Sequence, residues 1–167
     1  MIYVLRLLHI LSGAFWYGAV MFTARFLMPS LRAAGPAAGP VMAQLNQRRL
    51  PMAMMGAAIV NVASGVWLMF IVSGGSMGAW MQTRMGRTLG IGGALAILVL
   101  IIGMVVNSPA ARRLGEIGAA AAKRGGPPTP EEAAEVARLQ KRMGASTIVV
   151  ATLMTLALSA MALARYL

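Results

Sequence analysis

Residues 88–106 read TLGIGGALAILVLIIGMVV, nineteen consecutive positions without one ionisable side chain. Wound as an α-helix at about 1.5 Å per residue, this run is roughly 28 Å long, close to the thickness of a bilayer's hydrocarbon core. A helix is also the form in which such a segment satisfies its own backbone polar groups in lipid. Three further stretches have the same character: 2–27, interrupted by Arg6, His9 and Arg25, then 51–72, then 145–163. The first reads as an uncleaved helix, because its apolar run is too long for a signal peptide and no small-residue cleavage site follows it. The predicted fold is therefore all-α: a polytopic membrane protein in which one membrane domain, 1–167, forms a four-transmembrane-helix bundle.

Composition agrees. Hydrophobic residues make up 59% of the chain and charged residues 11%, against the about 25% charge of a soluble globular protein. With no cysteine, disulfides, thiolate metal sites and cysteine nucleophiles are excluded. One histidine, His9, and four acids, Glu116, Glu131, Glu132 and Glu135, weigh against hydrolytic chemistry. The net charge of +11 has a membrane explanation, since the basic residues sit between apolar runs where they set orientation and meet anionic head groups. Nucleic acid is not an expected partner.

The connections carry the orientation signal. Residues 28–50 open with Pro and Gly punctuation and continue as a short amphipathic piece over 41–50, with Pro51 starting the second span. Residues 73–86 are a Gly-rich turn. The longest polar part is 107–143, where Asn107, Ser108 and Pro109 are expected to stop the third span. In it Thr129 reads as an N-cap, Pro130 as a first helical position, and Glu131 and Glu132 lie at the positive end of the dipole, which predicts an additional short cytoplasmic helix running toward the fourth span. The 28–50 and 107–143 connections with their flanks hold eleven of the fifteen basic residues; Arg6, Arg84, Arg87 and Arg165 are on the other side. By the positive-inside rule both termini face outward, with Tyr3, Trp80 and Tyr166 at the outer interface.

Small residues mark helix contacts: Gly13 and Gly18, Gly56 and Gly65, and Gly86, Gly90, Gly93 and Gly103. Asn61 and Ser64, with Ser146, Thr147, Thr152, Thr155 and Ser159, are expected to hydrogen-bond between helices. His9 lies about six residues, roughly 9 Å, below the start of the first span, and an ionisable group at that depth is a candidate functional residue. Imidazole is a common axial ligand of haem iron; the alternative is a neutral histidine bonded to a neighbouring helix. Arg6, one turn away, reads either as a snorkelling residue or as a partner for a propionate or lipid phosphate. Arg84 and Arg87 begin the third span on the same outer side. Met77, Met81 and Met85, spaced four apart, are apolar gap-fillers or a thioether face suited to Cu(I).

The segments LRLLHILSGAFWYGAVMF, MPSLR and RRLPMAMMGAAIVNVASGVWLM, with W-x(6)-R-T-L from Trp80, resemble a group of bacterial four-helix membrane proteins of the copper-resistance D (CopD) type and nearby uncharacterised families. More distantly, over the first three spans, the chain is similar to HemJ-type protoporphyrinogen oxidases. That resemblance implies a haem-associated pair made of a first-helix histidine, matched by His9, and a basic residue early in the third helix, near Arg87. Arginine in place of lysine is a departure, because it stays charged and ligates no iron. The extra histidines of CopD proteins are missing.

Three functions follow as expectations: a small bacterial inner-membrane protein binding haem b or porphyrin through His9, with Arg6, Arg84 and Arg87 near the propionates; a non-catalytic accessory subunit of a larger respiratory or photosynthetic membrane complex, or a homo-oligomer; and a copper-handling protein using Met77, Met81 and Met85.

Overall fold

The computed structural model describes residues 1–35 and 38–166. Every element among them is helical: α1 (Ile2–Phe22), α2 (Met28–Ala34), α3 (Ala38–Gln47), α4 (Leu50–Val72), the single turn α5 (Met77–Trp80), α6 (Arg84–Ile102), α7 (Ser108–Arg124) and α8 (Pro130–Leu163). Four helices are long and apolar enough to cross a membrane: Ile2–Ala34, Leu50–Val72, Arg84–Arg124 and Pro130–Tyr166. Many of their large apolar side chains, among them Leu7, Ile10, Leu11, Phe70, Ile91 and Ile148, are exposed, as a lipid-facing surface requires.

Two of these helices outrun their predicted ends, and for one reason. Between α1 and α2 lies a π-helical turn, Thr23–Leu27, and between α6 and α7 a second, Gly103–Asn107. Each is followed, one residue on, by a proline, Pro29 or Pro109. Proline lacks an N–H and its ring presses on the carbonyl four residues back, here that of Arg25 or Val105. Widening the turn makes room, and the displaced bonding is recovered locally. The Met28 N–H donates to the Thr23 carbonyl. The Ser108 N–H and, at 3.0 Å, its hydroxyl donate to the Gly103 carbonyl. The helix itself does not end at Asn107, Ser108 and Pro109, where the third span is expected to stop: it absorbs the proline and continues to Arg124. The first likewise passes residue 27 and reaches Ala34.

Gly125, in the left-handed region at φ 66°, ends α7. Thr129 then caps α8 reciprocally, its hydroxyl accepting from the Glu132 N–H at 3.3 Å and its own N–H donating to the Glu132 carboxylate at 2.9 Å. No break separates the polar start of α8 from its apolar part, so the short helix expected before the fourth span is the beginning of one 34-residue helix. Ion pairs tie α7 to α8: Arg113 grips Glu135 through two hydrogen bonds of 2.9 Å, and Arg124 pairs with Glu132. These arginines hold the Glu132 and Glu135 carboxyls below the usual carboxylate range, and the Glu135 contact raises Arg113.

α1 packs chiefly against α4 and α6 against α8; α4 with α6, and α1 with α8, close the bundle. Trp16, Val20, Ala58, Val99, Val150 and Met154 form its buried centre. A 3₁₀ turn at Ala164–Tyr166 packs on α6. The start of α1, the α4–α6 connection and the end of α8 thus share one end of the bundle, called the terminal end below.

Candidate functional site: the seam between α1 and α4

His9 faces α4. Its Nδ1 lies 2.9 Å from the Asn61 carbonyl oxygen and 3.2 Å from the Ser64 hydroxyl. The Asn61 side chain returns the contact, its Nδ2 donating to the His9 carbonyl at 2.8 Å. Asn61 and Ser64 are buried and His9 partly so.

Glycines on the opposing helices make this approach possible. A methyl group at Gly65 would stand 2.8 Å from His9 Cε1, and one at Gly13 would stand 2.6 Å from Asn61 Nδ2. Both distances are closer than carbon and nitrogen atoms tolerate. The arrangement is reciprocal: His9 of α1 rests on Gly65 of α4, and Asn61 of α4 rests on Gly13 of α1. Each polar residue is four positions from the glycine on its own helix, so both pairs lie on one helical face.

The hydrogen-bond directions fix the imidazole tautomer. The Ser64 hydroxyl hydrogen is directed to the Val60 carbonyl at 2.6 Å, so Ser64 offers His9 a lone pair. The Asn61 amide hydrogen goes to the His9 carbonyl. The nearest neighbour of Nδ1, the Asn61 backbone carbonyl at 2.9 Å, can only accept, so a neutral imidazole placed there carries its hydrogen on Nδ1, with the Asn61 Nδ2 a further neighbour at 3.3 Å. Nε2 keeps the lone pair, and it has no hydrogen-bond partner among the described residues. A backbone carbonyl on Nδ1–H is the arrangement that orients metal-ligating histidines.

The arginines lie elsewhere. Arg6 is exposed one turn from His9 toward the terminal end. Arg84 and Arg87 are exposed in the first turn of α6, capped by Thr83, whose hydroxyl accepts from the Gly86 N–H at 2.9 Å. α6 packs on α8 and α4. Gly93 faces Met69, one turn beyond the Gly65 on which His9 rests, so the level of His9 falls near residue 97. Arg87 thus stands about ten residues, roughly 15 Å, nearer the terminal end. No hydrogen bond or ion pair joins Arg6, Arg84 or Arg87 to His9 among the described residues.

The methionines do not share one helix. Met77 is in α5, Met81 in the turn after it, and Met85 in α6. Met81 folds onto α6, its Sδ 3.0 Å from the position of a methyl on Gly90.

Sequence reasoning named His9, Asn61, Ser64, Gly13 and Gly65, but not their pairing. The available signal was the shared spacing, 9 with 13 and 61 with 65, which an antiparallel pair of helices brings into register. Comparison with known family models, characterised proteins and solved structures finds no match to this chain.

Proposed function

We propose that the protein is a haem- or porphyrin-binding membrane protein whose ligand is Nε2 of His9. The carrying observation is the seated imidazole: Nδ1–H is committed to the Asn61 carbonyl, and the lone pair on Nε2 is unspent. These residues fit the group, since a metal ligand needs a neutral, oriented imidazole with one nitrogen available. Bound haem would bring one-electron iron chemistry to this part of the bundle. The chain's own part is to hold the ring against Gly65, keep its tautomer through Asn61 and Ser64, and supply Arg6 on the same helix as a cation for a propionate; Arg84 and Arg87 would serve only a group reaching the terminal rim. The resemblance to the HemJ and CopD groups belongs to this reading. We further propose a bacterial inner membrane, on the resemblance to bacterial membrane proteins, with both termini outside, on the bias of the basic residues.

Protein expressed with ample haem and purified in detergent is expected to show a Soret band, absent in His9→Ala. A colourless, folded wild-type protein overturns the proposal and leaves His9 a structural link between helices. The cysteine-free chain makes orientation simple to test. Ser76→Cys should react with an impermeant maleimide in intact cells, and Ala119→Cys only after permeabilisation; the reverse pattern inverts the topology.

A further inference from the structure

A hollow lies beside the π turn at Thr23–Leu27, between α1 and α8. Where the helix widens toward Pro29, it and α8 enclose a groove of about 420 Å³, within the about 300–1,000 Å³ typical of ligand sites. Met21, Ala24 and Pro29 form one wall, and Ile148, Ala151 and Thr152 the other, with Arg25 at the rim. The wall hydroxyls are already satisfied. Thr152 donates to the Ile148 carbonyl at 3.0 Å and Thr155 to the Ala151 carbonyl at 2.8 Å, leaving Thr155 to accept from Tyr17 at 3.3 Å. The groove therefore presents apolar side chains, two threonine hydroxyls whose hydrogens are already committed, and one cation.

That cation is at the right depth. From Tyr3 to Arg25 is about 33 Å of helix, the thickness of the hydrocarbon core, so Arg25 reaches the head-group level of the leaflet away from the termini. No carboxylate lies within ion-pair distance of it among the described residues. All four acidic residues of the chain are in α7 and the first turns of α8, outside the apolar runs 88–106 and 145–163. Another surface hollow, along Ala63, Val66, Trp67 and Phe70 on α4, has no such charge among its lining residues.

We propose that the α1–α8 groove binds one anionic phospholipid, its phosphate on Arg25 and the upper part of an acyl chain between Met21 and Ala151. The chemistry is charge complementarity joined to an apolar slot, and it stands apart from His9.

Native mass spectrometry of protein released from bilayers of equal phosphatidylglycerol and phosphatidylcholine tests it. Wild type is expected to retain one phosphatidylglycerol per chain. Arg25→Gln should lower that retention about tenfold, the equivalent of about 1.4 kcal/mol. Arg25→Lys should keep most of it, and Ala151→Phe, which fills the slot without altering charge, should abolish it. Lys123→Gln, an exposed cation at the same end but outside the groove, should leave it unchanged. Unchanged retention in both Arg25→Gln and Ala151→Phe overturns the site. So does equal retention of phosphatidylcholine by wild type, or a loss in Lys123→Gln as large as in Arg25→Gln.

Discussion

The bundle is held by two main seams built on different chemistry. The α1–α4 seam is polar: His9, Asn61 and Ser64 bond across it, each large polar residue lying on a glycine of the facing helix. The α6–α8 seam is apolar. There Gly92 faces the Ala157 carbonyl and Met161, and Val99 packs with Val150 and Met154 in the buried centre. Within lipid no hydrophobic force draws helices together, so close packing and hydrogen bonding must do so. The apolar seam uses the first alone and would tolerate small slides. The polar seam uses both and has one register, because moving α1 by a residue strands the buried amide of Asn61 and drives its side chain or the imidazole into a backbone.

This contrast can be broken experimentally. The largest effect is expected at the polar seam. Gly65→Val should cost about 2–3 kcal/mol, since its side chain meets the imidazole on a rigid wall, and it should also displace His9 and remove any Soret band. Reversible unfolding in SDS gives the first quantity and absorbance the second. Gly92→Ala should cost only about 1 kcal/mol in the same titration, because its methyl would lie 3.0 Å from Met161 Cγ and 3.2 Å from the Ala157 carbonyl, positions that can yield by a few tenths of an ångström. Equal costs at the two glycines would erase the distinction.

Asn61→Leu should lower stability by about 1 kcal/mol, in keeping with membrane hydrogen bonds of about 0.6–1.7 kcal/mol. Ser64→Ala should cost about half as much, as the Asn61 carbonyl remains on Nδ1. If Ser64→Ala proves the more damaging, the Ser64 hydroxyl contributes more to the seam than the Asn61 side chain, since the Asn61 backbone carbonyl stays on Nδ1 in both variants.

The smallest effect separates both seams from the polar end of the bundle. Glu132 and Glu135 are held below the usual carboxylate range, chiefly by hydrogen bonds from Arg124 and Arg113 respectively. A carboxyl with a lowered folded pKa contributes stability that is present above its unfolded value, about 4.3, and lost as pH falls through the folded one. Hydrogen-exchange protection at the α7–α8 connection, corrected for the intrinsic rate, should therefore fall below about pH 4 while amides along α1–α4 stay protected. A uniform loss of protection along the chain would mean that the ion pairs govern the whole bundle.

Much of this was legible in the chain. The uncharged run at 88–106 and its three counterparts determined an all-α protein with four membrane-crossing helices, because a backbone in lipid has no partner but itself. Thr129, Pro130 and Glu132 determined where α8 begins, because a capping box is local chemistry between residues three apart. The prolines misled: Pro109 reads as a stop, yet a π turn accommodates it, and whether a helix ends or widens depends on what lies beyond it. That His9 meets Asn61 and Ser64, that its Nε2 has no hydrogen-bond partner among the described residues, and that Arg84 and Arg87 stand away from it depend on how the helices pack. Composition makes a helix enter the membrane, but which face meets which neighbour is a matter of register between segments 52 residues apart. That register is set by pairs such as Gly13 with Asn61 and His9 with Gly65, which a one-dimensional reading holds only as separate residues.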